Sequence, residues 1–257
     1  MRGRRSVVAG LVLVGLAGCQ ADRPGTAQPG PPPPGPRATP TASAVPPELS
    51  ATAPCPAKGD RPFSYRRGGF AFSGYERGTA STVAILLHES RGTPCDLAGL
   101  MARLAAEGMR VVSWTATPRT SAEALALVVA KERSGGAVRV VLVGASAGGA
   151  TALVAAGLIR PPVSAVVALS ASNFDSAPGD VLRAAARYPG PMMAVASQQD
   201  PSFAALPAQL AAAHSGRELT TVYPGSSDHG KQLVARPDSA VAGAVVAFLA
   251  MSGSASG

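Results

Sequence analysis

The chain has 257 residues, with 23 Lys and Arg against 15 Asp and Glu, for a formal net charge of +8. The basic residues are scattered, and no RNP-like, helix-turn-helix or basic-aromatic pattern accompanies them, so the charge does not point to nucleic acid. Its three cysteines and three histidines form no cluster with metal-ligand spacing, and neither a metal nor another cofactor is expected.

The N-terminus reads as an export signal. Arg2, Arg4 and Arg5 precede an apolar run from Ser6 to Ala17, and small residues lead to Cys19. This is the charged start, short apolar core and small-residue cleavage site of a secretory signal. The run falls short of the ~20 residues that cross a bilayer comfortably. Leu16-Ala17-Gly18-Cys19 resembles a bacterial lipobox. The resemblance implies that residues 1–18 are removed as a lipoprotein signal peptide and that Cys19 is acylated. The protein would then sit at the extracytoplasmic face of the cell membrane. Losing the three arginines lowers the formal charge from +8 to +5, which suits an anionic surface over about one Debye length.

Residues 19–56 follow as a spacer. Gln20 to Pro54 is dominated by Pro, Ala, Thr and Gly, including Pro31 to Pro34. Such a segment cannot bury enough surface to offset ordering entropy, and it reads as an extended tether. Residues 57–251 have the size of one domain, and 252–257 read as a disordered tail. With Cys19 acylated, Cys55 and Cys95 are left as a pair in an oxidising compartment, where a disulfide is expected.

Within 57–251, short β-branched runs alternate with Ala/Leu-rich stretches. Phe63–Tyr65 and Phe70–Tyr75 read as antiparallel edge strands. Strands are predicted at Val83–Leu87, Arg110–Trp114, Val138–Val143, Val163–Leu169, Met192–Ala196 and Leu219–Tyr223. Helices are predicted at Leu97–Glu107, Ala122–Glu132, Gly149–Leu158, Phe203–Ala213 and Ser239–Ala250, with one more between Leu169 and Met192. Continuous apolar strands separated by helices indicate a mostly parallel, twisted sheet covered on both faces, an α/β class. Neither a dinucleotide fingerprint nor a phosphate-binding loop follows the first long strand.

Gly144-Ala145-Ser146-Ala147-Gly148 matches G-x-S-x-G. In a chain with 29 glycines the pentapeptide is weak alone, but it falls between a predicted strand and a predicted helix. A tight turn there needs small flanking residues and would present Ser146 at the carboxyl end of the sheet, over the helix N-terminus. This stretch and the alternation around it resemble the α/β-hydrolase superfamily over residues 63–251. The resemblance implies that fold, without a large cap domain, and Ser146 as nucleophile.

Such a serine needs an imidazole base. His229 lies in the polar loop 224–230 after the last strand, where the superfamily carries its base. His88 ends a strand and His214 closes a helix. The acid belongs between serine and base in chain order. Asp200 follows the strand Met192–Ala196, the superfamily's usual position, and Asp175 is the rival; Asp228 adjoins His229, and neighbouring side chains diverge. Ala147 N–H would supply one oxyanion donor. Leu87-His88-Glu89-Ser90-Arg91-Gly92 resembles the oxyanion turn of many hydrolases, and its H-E-x-x-G form is closer to the dienelactone-hydrolase branch, with Ser90 N–H as second donor. That branch typically carries a cysteine nucleophile where this chain has serine. Glu89 is either a group that tunes the site or a turn residue.

An open, shallow site is expected, with Trp114 and Phe174 available to an acyl or alcohol group. The reading is an envelope ester hydrolase, expected as a monomer, with an unidentified ester as substrate. An acyltransferase or peptidase would use the same residues. A non-catalytic lipoprotein that uses the fold for binding is the alternative of a different class.

Overall fold

Val83, Ile85 and Leu87 pack on one side of a sheet while Ala84 and Leu86 pack on the other, and all five are fully buried. Successive strand side chains point to opposite faces, so an unbroken apolar run is what a strand covered on both sides requires. The strand is β3 (Thr82–Leu87), at the centre of the domain seen in the computed structural model, which describes residues 55–172, 181–214, 218–223 and 225–252.

The other strands are β1 (Arg61–Arg67), β2 (Phe70–Arg77), β4 (Arg110–Thr117), β5 (Arg139–Ala145), β6 (Ala165–Leu169), β7 (Met192–Ser197) and β8 (Glu218–Tyr223). They form one sheet in the order β1-β2-β4-β3-β5-β6-β7-β8. The pairings from β4 to β8 are parallel, whereas β1 with β2 and β2 with β4 are antiparallel. The expected mostly parallel sheet with an antiparallel edge is thus what forms.

Helices cover both faces. The helices α2 (Ala122–Ser134), α3 (Ala147–Leu158), α4 (Val181–Arg187) and α5 (Leu206–Ala213) share a core with Ile85, Leu142 and Val166. On the opposite face α1 (Ala98–Ala106), α6 (Gln232–Ala235) and α7 (Ala240–Met251) pack on Leu86, Val143 and Val167. Each fully buried Leu or Val contributes about 1.5–3 kcal/mol of hydrophobic stabilisation, so the two cores hold the sheet rigid. Helix α3 is apolar nearly all round because the sheet, α2 and α4 all pack against it. Ser121 and Ser239 cap α2 and α7 by accepting the amides of Ala124 and Ala242 at 3.2 and 3.1 Å.

Several element ends differ from the sequence reading. Val138 is 87% exposed and precedes β5, which starts at Arg139. Strand β6 begins at Ala165 rather than Val163. Helix α5 begins at Leu206, with Pro207 in its first turn, where a proline's missing N–H leaves no bond unmade. Phe203 therefore sits in a turn. Helix α6 was not expected, being a single turn that periodicity cannot detect.

Chain order runs from β3 outward to β4, then back across β3 to β5. The carboxyl ends of β3 and β5 flank the point where strand order reverses, the usual crevice of an open α/β sheet.

Candidate active site

Ser146 occupies the turn between β5 and α3 with φ 51° and ψ −118°. A non-glycine residue at positive φ is held there only by its surroundings. Here Ser146 N–H donates to Leu169 O of β6 at 2.8 Å, and Ala150 N–H donates to Ser146 O at 3.1 Å. The flanking glycines are forced by crowding. A Cβ on Gly144 would lie 2.2 Å from Gly148 O, and one on Gly148 would lie 2.4 Å from His88 O and 2.5 Å from Leu87 O. Only hydrogen at these two positions lets the strand, the helix and the end of β3 approach so closely.

Helix α3 has no side-chain cap, so its first amides, beginning with Ala147 N–H, are unspent. Together with the positive end of the helix dipole they favour a developing negative charge. The end of β3 lies against this elbow through the Gly148 contacts. It continues into a turn closed by Gly92 N–H donating to Glu89 O at 3.0 Å, with Ser90 exposed at the first central position and Arg91 at φ 58°. Among the described residues neither Ser90 N–H nor Ala147 N–H donates to a backbone carbonyl in the turns and loops.

His229 and Asp200 meet across the loops after β8 and β7. His229 Nδ1 donates to Asp200 Oδ2 at 2.7 Å, with the side chains 30% and 13% exposed. Phe203 lies against the imidazole, ring centroids 4.3 Å apart. Two hydroxyls fix the loop. Ser197 Oγ, at the end of β7, donates to Asp228 O at 2.8 Å and lies 3.2 Å from Ser226 Oγ, which accepts Asp228 N–H at 3.0 Å. Gln232 Oε1 accepts His229 N–H at 2.9 Å. Gly230 brings this loop to the elbow: a Cβ there would stand 3.5 Å from Ser146 Cβ and 2.7 Å from Glu89 Oε2. Among the described residues none hydrogen-bonds the Ser146 hydroxyl, so Ser146 and the loop that carries His229 are neighbours without a direct bond.

The other histidines are placed elsewhere. His88 Nδ1 donates to Glu89 O at 2.7 Å. His214 is buried, its Nδ1 donating to Ala185 O at 3.1 Å and its ring stacked on Tyr188. Glu89 pairs with Lys231, Nζ to Oε1 at 3.2 Å. Cys55 and Cys95 form a disulfide, with Cα atoms 5.5 Å apart. The described residues contain no group of side chains that could hold a metal ion, and no helix among them is long and apolar enough to cross a membrane. Cys19, Phe174 and Asp175 lie outside the described residues.

One expectation is corrected. Trp114 has no exposed surface and packs on Phe72, ring centroids 5.8 Å apart. Strand β2 covers it through the pairing of Gly74 with Trp114, so it belongs to the core rather than to a substrate surface. Reasoning from sequence missed Ser197, Ser226, Gln232, Phe203 and Lys231. Only the proximity of Ser226, Gln232 and Lys231 to His229, or of Ser197 and Phe203 to Asp200, could have flagged them.

The sequence matches no protein-family model and no curated protein. Solved structures do match. A bacterial membrane phospholipase A superposes with a TM-score of 0.63 at 12% identity, over 77% of this chain and 88% of its own. An esterase from Pyrococcus furiosus does so at 0.63 and 12%, over 75% and 90%. A dienelactone hydrolase from Anabaena variabilis gives 0.58 at 18%, over 75% and 97%. The chain has the α/β-hydrolase fold. Ser146, His229 and Asp200 lie at the carboxyl ends of its parallel strands, following β5, β8 and β7.

Proposed function

We propose that this chain is a serine hydrolase of carboxylic esters, with Ser146 as nucleophile, His229 as base and Asp200 as the acid that orients it. The observation that carries the reading is the 2.7 Å bond from His229 to Asp200 in a loop whose next residue, Gly230, abuts Ser146. Neighbours of the same fold bear the names of esterases and a phospholipase, which supports an ester as substrate.

The chemistry follows from the groups at hand. His229 Nε2 takes the Ser146 proton as Oγ bonds to the ester carbonyl carbon, and the carbonyl π pair moves onto oxygen. Ala147 N–H and Ser90 N–H receive that oxyanion. Collapse re-forms the carbonyl and breaks the bond to the alkoxy oxygen, which leaves with the proton from His229. Water then repeats the sequence on the acyl-enzyme and releases the acid. Asp200 accepts the ring N–H and stabilises the imidazolium that forms. No cofactor enters.

A fluorophosphonate probe should label full-length protein at Ser146 and leave Ser146→Ala unlabelled. Absence of labelling and of turnover on p-nitrophenyl esters would overturn the reading in favour of a non-catalytic binding module. The proposed setting is the extracytoplasmic membrane face, through acylated Cys19. Wild-type protein should partition into detergent, and mass spectrometry should place the mature N-terminus at Cys19; a different start overturns the anchor.

A further inference from the structure

A carboxylate beside a serine nucleophile is an electrostatic liability, and this site contains one. Glu89 follows the last residue of the β3 end that abuts the elbow. Its Oε2 and Ser146 Cβ lie 2.7 and 3.5 Å from one point, the position a Cβ would take on Gly230. Glu89 is only 21% exposed on its side chain, so water screens it incompletely. Its charge would oppose the oxyanion that forms when Ser146 attacks an ester.

Lys231 answers that charge. Its Nζ is 3.2 Å from Glu89 Oε1, and its backbone N–H donates to Glu89 Oε2 at 3.4 Å. The same ammonium stands 3.4 Å from Asp96 Oδ2, a charge contact rather than an aligned hydrogen bond. Asp96 is 11% exposed, and Thr93 Oγ1 donates to its other oxygen at 3.3 Å. One cation therefore bridges two carboxylates of the turn that carries Ser90, from a position two residues after His229. Burial alone would lower the Lys231 pKa, yet bonding and attraction to Glu89 and Asp96 raise it, so the ammonium stays charged through the neutral range.

We infer, resting on the esterase reading above, that Lys231 is a positioning residue that neutralises Glu89 beside the nucleophile, so that the oxyanion forms without an opposing carboxylate. A loop-docking role alone would need only shape and polarity at position 231. The neutralising role makes the sign of the charge decisive, and it makes Glu89 the reason Lys231 is needed. The titratable groups around Glu89 are Lys231, Asp96 on the far side of the ammonium, His229 before Gly230, and His88, whose ring nitrogen bonds the Glu89 carbonyl.

The test uses full-length protein and p-nitrophenyl butyrate. Lys231→Met should lower kcat about 10–100-fold with KM little changed, since the lost interaction matters mainly once charge develops. Lys231→Arg should keep most of the rate. The double variant Lys231→Met with Glu89→Gln should recover most of what Lys231→Met loses, because it removes the stranded charge. Should Lys231→Met fail to fold, Lys231→Gln carries the same comparison with a polar side chain. Lys231→Met or Lys231→Gln at full rate, or a double variant no better than the single, overturns the inference while the active wild type upholds the esterase reading. Wild-type protein that neither turns over nor takes the probe overturns that reading instead.

Discussion

His229 Nδ1 and Asp200 Oδ2, 29 residues apart in sequence, stand 2.7 Å from each other at the carboxyl end of the sheet. In that pairing the carboxylate holds the ring's N–H, leaving Nε2 as the free basic nitrogen. Asp200→Asn keeps the shape but offers an amide, which can stabilise the wrong tautomer and leaves the imidazolium uncompensated. We expect kcat to fall by about 10³–10⁴-fold with near-native thermal stability. A decrease below tenfold would remove Asp200 from the mechanism.

Gly144 and Gly148 are fixed by backbone atoms that cannot move aside. A methyl at Gly148 would sit 2.4 and 2.5 Å from the carbonyls of His88 and Leu87. Gly148→Ala should therefore separate the elbow from the end of β3, destabilising by about 3 kcal/mol or more and removing turnover. Gly243, which has open space around it, is the control: Gly243→Ala on helix α7 should leave stability equal or raised by about 0.5–1 kcal/mol. Thermal melts of the two variants decide the matter.

The Cys55–Cys95 bridge spans a sequence separation of 40 residues. Closing a loop of that length restricts the unfolded chain by roughly 3–4 kcal/mol on the chain-entropy account. Melting the protein with and without reductant should show a lower Tm when reduced. Cys55→Ser should reproduce that lower value and become insensitive to reductant. Equal melting in all three cases would remove the bridge from the account.

Tyr65 carries a hydroxyl that is buried and unbonded. Burial, with help from the Glu132 charge and against that of Arg67, pushes its pKa from 10.0 up to about 12. A folded pKa above the unfolded one means the neutral phenol is favoured in the fold. Its contribution is complete below pH 10 and is lost as pH climbs toward 12. Tyr65→Phe should flatten that alkaline decline, and at neutral pH it should not destabilise, since it relieves an unsatisfied donor. Denaturant titrations at pH 7 and across pH 9.5–11.5 measure both effects.

Much of the architecture was legible because this sheet is buried on both faces. Val83 to Leu87 and Val140 to Val143 are unbroken apolar runs, and only a covered strand accommodates them. Where a one-sided property decided the outcome, sequence fell short. Trp114 looked available because nothing in its neighbourhood tells which strand lies beside it or that Phe72 of β2 packs on its ring. Phe203 looked helical from its alanine-rich surroundings, yet the turn after Asp200 claims it through Phe203 N–H donating to Asp200 O at 2.9 Å. The contact of Glu89 with Lys231 joins residues 142 positions apart, and no local pattern encodes such a meeting. The elbow was the easier case, because its requirements for small residues are all within five positions.

The disulfide also sets how the domain bears load. Strand β1 is a sheet edge that pairs only with β2 among the described strands, and its backbone hydrogen bonds could be opened one after another by a pull at its start. Cys55 lies ahead of β1, and its bond to Cys95 gives tension a second route, into the segment before α1 and under the central sheet. A force arriving from the N-terminal side is thereby shared with the strongest part of the structure. Under mechanical stretching, the oxidised domain should resist as one unit, whereas the reduced domain should peel from β1 first.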